Sequence, residues 1–361
     1  MLSIDRRRMH AVALATTAAV AALSLAGATG AGAEPKTTPD AVLLDRHQPV
    51  LVFHPAELFR PTKVQTFVED SELERFVGAS PSQLPFDSFW SVVDSDPEPG
   101  ELPGTSPGAF YRLDQVGCSA AAPLAGRDCY ARSWAEGAGG DAVYGRVVRT
   151  ETRVLLQYWL FYYDNPLLLP PTVVGTFSQS HEGDWEVVNV VLDGSEEPLE
   201  AAYSQHCSGQ RKPWAGVAKS AAEGTHPVAY VALGSHANYF APGAGPLGAI
   251  PINPACIPPP VVAVLPPAFL QVVVDQVLDG TATGAVVGPP DSGTEHATIH
   301  RIEGAPWSDF GGRWGESEYF FTPIPLGPIP AGAAPVGLGP ASPANQANWS
   351  IQTILGWPLA S

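Results

Sequence analysis

A mainly β chain, folded as a single β-sandwich domain with long Gly/Pro-rich loops, is the architecture this sequence predicts. Three observations carry the prediction. Runs rich in β-branched and aromatic residues recur at 144–149, 152–163, 184–192, 199–206, 227–234 and 296–302, each bounded by Gly, Pro, Asp or Ser. Glycine (36) and proline (38) make up about a fifth of the 361 residues, more than a helical bundle accommodates. Nine tryptophans supply large apolar surfaces for packing between sheets.

The start of the chain reads as a targeting segment. Arg6, Arg7 and Arg8 precede an apolar run from Ala11 to Leu25, and Ala31-Gly32-Ala33 offers a cleavage site, so residues 1–33 are expected to be a secretory signal. The paired arginines also invite a twin-arginine reading, but the residues after them fit that pattern poorly. Beyond the signal no stretch reaches the ~18 uninterrupted apolar residues that span a bilayer. The expectation is an exported, extracellular protein without a transmembrane segment.

Residues 34–361 show neither an internal repeat nor a linker, which predicts one domain. Its first strand falls at 49–55, followed by a short helix near 68–78. Residues 80–142 read as a loop-rich insertion, 263–279 as a strand or short helix, and 323–361 as an irregular tail.

The formal net charge is −17, and the signal's three arginines against one aspartate leave the mature part more acidic still. That balance, with no basic run, excludes nucleic acid as a partner and disfavours anionic lipid. Four cysteines suit an oxidising destination. Cys118 and Cys129, eleven apart, are expected to pair locally, leaving Cys207 with Cys256. Three connectivities remain open on spacing alone, and no C-x-x-C suggests a thiolate metal site.

The most informative stretch is Ser180-His181-Glu182-Gly183-Asp184-Trp185-Glu186, which opens the strand-like run DWEVVNVVLD. On a strand, Asp184 and Glu186 share a face and Trp185 takes the other. Two adjacent carboxylates repel unless a proton or a cation compensates, and His181, in the turn before the strand, can add an imidazole. These three residues are one wall of an expected divalent-metal site. Asp164, His206 and His236, each at the exit of an apolar strand, are further candidate ligands, although Asp164 before Asn165-Pro166 also suits a turn. Glu182 is set aside as a ligand, and Trp185 is assigned to the core.

Mg²⁺ or Ca²⁺ fits such an oxygen-rich set best; Mn²⁺ is compatible, and Zn²⁺ becomes competitive if all three histidines bind. The His181-Glu182 pair lacks the second histidine of H-E-x-x-H, and no G-x-S-x-G, P-loop or G-x-G-x-x-G appears. A glycosidase-like carboxylate pair is compatible with Asp184 and Glu186, but no further feature supports it.

Five blocks in order resemble the vacuolar-protein-sorting-associated 62 family, whose activity is largely undefined. They are YWLFYYDN (158–165), SHEGDWEVVNVVLD (180–193), AAYSQHCSG (201–209), HPVAYVALGSHANYF (226–240) and WSDFGGRWG (307–315), a resemblance covering roughly 41–345. More distantly, the chain is similar to the secreted necrosis- and ethylene-inducing-peptide-like proteins, β-sandwich cytolysins with the heptapeptide Gly-His-Arg-His-Asp-Trp-Glu. In that family the first His, the Asp and the Glu hold a divalent cation that engages membrane sphingolipid sugars. The resemblance implies metal roles for His181, Asp184 and Glu186, and more loosely for Asp164, His206 and His236. Ser180, Glu182 and Gly183 depart from the heptapeptide, and losing its basic and second imidazole groups argues against cytolysis while leaving the cation ligands in place.

Two classes of function follow, with a third as the bland alternative. The cation, flanked by Tyr203, Tyr239 and Trp214, would bind a glycan or a lipid head group. Alternatively it would activate water for hydrolysis, with His206 or His236 as catalytic acid or base. In the third reading the metal only stabilises a structural protein. Binding is favoured over catalysis because no nucleophile or acid–base pair stands out.

Overall fold

Two long strands organise the chain, because their residues are apolar on both faces and need cover on both. In the computed structural model the described residues are 38–80, 87–118, 127–137, 141–168, 175–206, 208–220, 224–243, 249–251, 278–289, 295–323, 332–334 and 339–360. The expected signal over 1–33, Cys207, Cys256 and nearly all of 263–279 lie outside them.

In chain order the elements are α1 (Asp40–His47), β1 (Val50–Phe53), α2 (Val64–Glu69), β2 (Ser71–Phe76), β3 (Trp90–Asp94), β4 (Tyr111–Gln115), α3 (Arg127–Gly137) and β5 (Ala142–Arg149). The long pair β6 (Arg153–Leu168) and β7 (Gly175–Asp193) follows, then β8 (Pro198–Gln205), β9 (Ser208–Pro213), β10 (Val228–Val231) and β11 (Asn238–Tyr239). Short strands complete the set: β12 (Ala249–Pro251), β13 (Leu278–Gly280), β14 (Val286–Gly288), β15 (Glu295–His296), β16 (Thr298–Arg301), β17 (Arg313–Trp314), β18 (Ser317–Pro323) and β19 (Gly332–Ala334), before α4 (Ile351–Leu355).

Among the described residues these strands form an eight-stranded sheet containing β5 to β9, a five-stranded sheet in the order β11-β10-β1-β14-β15, a four-stranded sheet in the order β17-β4-β2-β3, and the ribbon β12-β13. The chain is mainly β, as predicted. A single two-sheet sandwich is a finer statement than these groups of strands support.

The eight-stranded sheet is covered on both sides. On one side Tyr203 stacks on Phe240 with centroids 4.0 Å apart, and its hydroxyl donates to the Val228 carbonyl, tying β8 to the five-stranded sheet. On the other, Phe161 packs against Phe67 of α2 at 5.1 Å and against Trp314 of β17 at 5.1 Å. Trp185 joins this aromatic core, stacked on Trp307 at 5.5 Å and tilted against Phe161 at 4.8 Å. Such pairs add about 0.5–1.5 kcal/mol each beyond the area they bury. Residues Val154 to Asn165 are buried without a break, which is why β6 reads as one apolar run instead of an alternation.

Several expectations are corrected. The helix placed near 68–78 is Val64–Glu69, and 71–76 is strand β2, held between β3 and β4; tertiary pairing overrides the helical propensity of Glu72, Leu73 and Glu74. The 80–142 insertion contributes β3, β4 and α3. The tail contains α4, and Ile351, Ile354 and Trp357 are buried in the core. Cys118 and Cys129 are bonded as expected, with Cα atoms 5.9 Å apart, joining the end of β4 to α3. No helix among the described residues is long and apolar enough to cross a membrane.

Candidate functional site

The motif lies within a strand, since β7 begins at Gly175 and His181 pairs across the ladder with Asn165 on one side and Ser317 on the other. Simple alternation would put Glu182, Asp184 and Glu186 on one face. Gly183, at φ 57°, breaks the alternation. Glu182 turns toward the four-stranded sheet, where Tyr130 donates to it at 2.7 Å and the Gln115 amide at 3.2 Å. Asp184 turns the other way, toward the five-stranded sheet, and receives Asn165 Nδ2 and His236 Nδ1, each at 3.0 Å. A Cβ on Gly183 would lie 2.7 Å from the Trp314 carbonyl oxygen, so both the backbone angle and the space require glycine.

Around Asp184 and Glu186 gather groups from distant parts of the chain. His236 is fully buried, stacked on Tyr162 at 3.9 Å with the rings 3° from parallel. Its Nε2 lies 3.5 Å from Glu57 Oε1, an ion pair too long for a hydrogen bond. Glu57 in turn accepts from the amides of Leu58, Phe59 and Gly234 at 2.9, 2.9 and 2.7 Å. His206 Nε2 lies 2.8 Å from Asp279 Oδ2, and Asp279 also accepts from Ser235 and Tyr239 at 2.8 and 2.5 Å. Ser204 donates to Glu186 Oε2.

His206 and His236 both adopt left-handed backbone angles, φ 56° and 53°. Non-glycine residues held there cost energy that the surroundings must supply, and such positions cluster at functional sites. Gly234, at φ 74°, shapes the same turn after β10.

The charges are tightly coupled. Burial alone would lower both imidazoles, but the Glu57 charge together with the bond to Asp184 and the Asp184 charge hold His236 up to about 10. Asp279 similarly holds His206 up to about 9 against its burial. Glu186 goes well above the usual carboxylate range because it is buried and then because Asp184 stands beside it. Burial raises the Tyr162 phenol well above its ordinary value, and Glu186, Asp184 and Glu57 push it further. That hydroxyl therefore stays protonated, and it is buried without a hydrogen-bond partner among the described residues. An unmet donor surrounded by carboxylates marks a place where a polar ligand or water belongs.

In donor type, though not in spacing, the set suits a hard cation. Among the described residues the hydrogen bonds to Asp184 fall on Oδ2 and that to Glu186 on Oε2, and none falls on Oδ1 or Oε1. His181 Nδ1 donates to the Gly183 carbonyl at 2.7 Å, which places the lone pair on Nε2, an orientation common in metal-binding histidines. His181, Asp184 and Glu186 do not bring three ligand atoms within 4.8 Å of one another. Asp184 and Glu186 are two residues apart on a strand, their charges repel, and His236 draws Asp184 aside.

Asp164, a looser candidate, stands inside β6 and pairs across the ladder with Glu182 and not with Asp184. Asn165 takes the position beside Asp184 instead. The aromatics expected to flank the cation are also engaged elsewhere: Tyr203 is buried on Phe240, Tyr239 is committed to Asp279, and Trp214 packs edge-on to His47 at 5.9 Å. Glu57, Asp279 and Tyr162 were not foreseen. Glu57 closes the HPAE turn and Asp279 follows a long Pro-rich stretch, so no local pattern ties either to the motif.

A second acidic group is set around Glu182. Asp114, Glu182 and Glu316 bring ligand oxygens within 4.8 Å of one another, close enough to hold a metal ion. It already contains a cation: the Arg112 guanidinium, 4% exposed, pairs with Glu74 at 2.7 Å and with Asp114 and Glu316 at 3.8 Å. Burial and the neighbouring Asp114 and Glu316 push Glu182 well above its usual range, favouring the protonated acid.

No family model and no curated protein matches the chain, so the resemblance to the vacuolar-protein-sorting-associated 62 family rests on the quoted blocks alone. Solved structures do match. Necrosis and Ethylene inducing Protein 2 from the causal agent of cocoa's Witches Broom disease is 15% identical over 57% of this chain and 70% of that one, with a TM-score of 0.28. The non-toxic HaNLP3 protein is 16% identical over 59% and 74%, at 0.29. NLPPya in complex with mannosamine is 15% identical over 57% and 69%, at 0.28. These are the toxin-fold proteins of the more distant sequence resemblance, met at a similarity too low to bear on the chemistry of the site.

Proposed function

We propose that this chain is a secreted, divalent-cation-binding β protein that recognises a glycan or a lipid head group through a cation held on the Asp184 face of β7. One observation carries the reading: Asp184 and Glu186 share a buried face, each fixed through one carboxylate oxygen, with no hydrogen bond to the other among the described residues. The orphaned Tyr162 hydroxyl and the orientation of His181 support it. Oxygen donors dominate, and both buried imidazoles are engaged with carboxylates, which favours Mg²⁺, Ca²⁺ or Mn²⁺ over Zn²⁺. A bound cation also gives an acidic protein a means to engage sugar hydroxyls or phosphate.

A hydrolytic reading draws on the His206–Asp279 pair at 2.8 Å, with the His206 side chain 13% exposed. An imidazole held up to about 9 would enter such a reaction as an acid near neutral pH.

Elemental analysis of the secreted protein beside Asp184→Ala tests the proposal, with melting curves in the presence and absence of chelator. The expected result is a stoichiometric cation in the wild type, lost in the variant, and binding to glycan or neutral-lipid vesicles that the chelator abolishes. Metal-free wild type whose melting ignores chelator overturns it. Cation-dependent melting without any ligand binding leaves a structural metal.

A further inference from the structure

The small sheet β17-β4-β2-β3 carries an apolar surface that the rest of the fold leaves open. Among the described residues, Val77, Val92, Val93, Phe110 and Val116 make up five of the ten exposed large apolar side chains, and all five lie in this sheet or at its strand ends. β3 is an edge of the sheet and pairs with β2 alone among the described strands. The ladder shows which way its backbone points. Val77 N donates to the Phe89 carbonyl at 2.8 Å, whereas Phe76 N turns to the Phe110 carbonyl beside β4 at 3.0 Å. Bonded and unbonded pairs alternate in an antiparallel ladder, so Arg75–Ser91 is bonded and the next pair, Glu74–Val92, is not. The N–H and C=O of Val92 therefore point away from the sheet, with Val92 47% and Val93 52% exposed. The ladder skips Val93, a bulge that ends the open stretch there. Open edges are commonly guarded by a lysine, a proline or an inward charge, and Trp90-Ser91-Val92-Val93 has none of them.

The geometry points to the β3 edge as a docking site for an extended, basic segment of a partner protein, added as a further strand. Charge selects the partner. Asp94, Asp96, Glu98 and Glu101 follow directly on the edge, and the last three face solvent. Arg75 is the one exposed cation in β2, β3 and β4. A strand laid along Val92 gains main-chain hydrogen bonds, covers the two valines with alternate apolar side chains, and brings its lysines or arginines to the carboxylates. A second copy of this chain fits poorly, because its net charge of −17 repels and two paired β3 edges would bring the same carboxylates together. The inference is independent of the cation reading above.

Fluorescence anisotropy of a labelled octapeptide alternating lysine with valine, titrated with the full-length protein, tests the edge. The control peptides replace every lysine by glutamate, or one central valine by proline. Val92→Pro removes the outward N–H at a position whose N–H makes no bond to β2, so the sheet is kept. Asp96→Asn/Glu98→Gln removes two of the charges and leaves the edge. The expected result is binding of the lysine peptide to wild type, about 10-fold weaker in each variant, with neither control peptide bound. Equal affinity for wild type and Val92→Pro reduces the contact to charge alone and overturns the inference, as does wild type that binds no peptide. Should Val92→Pro fail to fold, Val92→Lys/Val93→Lys decides in the same way, since it supplies the missing guards. Sedimentation of the wild type checks the occupant: a dimer that Val92→Pro dissolves overturns the basic partner in favour of a second copy.

Discussion

Glu182 and Asp184 stand two residues apart on one strand and face opposite sides of the sheet, each at the centre of a buried acidic group. Gly183 makes this possible, since its positive φ breaks the alternation and its missing Cβ admits the Trp314 carbonyl. Gly183→Ala must therefore move either the strand or β17. A loss of about 2–4 kcal/mol in denaturant unfolding is expected, from a positive-φ alanine together with the contact at 2.7 Å. Cation binding should fall in parallel. Wild-type stability in this variant is incompatible with the inversion.

The two carboxylates on the Asp184 face should respond differently to neutralisation in chelator. Asp184→Asn leaves the His236 charge with Glu57 alone, and breaking a buried pair costs about 3 kcal/mol. Glu186→Gln neutralises a group that burial and the neighbouring Asp184 already push toward its protonated form, so its effect should be the smaller of the two. Equal losses in urea unfolding would mean that the two share one environment.

For the metal-free protein, stability should fall with rising pH. His206 and His236 are held near 9 and 10 when folded, against 6.5 for the unfolded chain. Protons bound more tightly by the folded state stabilise it fully below about 6.5, and that contribution is lost as pH rises through about 9 to 10. Glu186, also raised, acts in the same direction. Thermal melting in chelator between pH 6 and 10 checks this, and a midpoint that climbs over that window contradicts the charge assignment.

Cys118–Cys129 delivers Tyr130 to Glu182 by anchoring α3 to β4. Removing the bond with Cys118→Ser/Cys129→Ser should cost about 3 kcal/mol from the released loop. Tyr130→Phe should cost about 1–3 kcal/mol, because Glu182 keeps its burial but loses a donor. If α3 reaches Glu182 only through the disulfide, Tyr130→Phe will have little further effect in the cysteine-free background.

The sequence by itself determined the β class, the strands around the motif and the shared face of Asp184 and Glu186, and made Cys118–Cys129 the expected pairing among three. These follow from short-range rules: alternation, β-branched runs and a spacing of eleven. His206 and His236 were legible as strand-end residues, but their left-handed backbones and their carboxylate partners were not. Glu57 and Asp279 reach the site only through the pairing of β1 with β10 and the return of the chain at β13, contacts that no local periodicity encodes. Asp164 was legible as a strand-exit candidate, yet it is Asn165 that the pairing of β6 with β7 sets against Asp184. The type of side chain near the motif was thus written locally. Which face each one took, and which distant carboxylate locked each imidazole, was decided by how the sheets pack, because burial makes every charge find a partner in three dimensions and not along the chain.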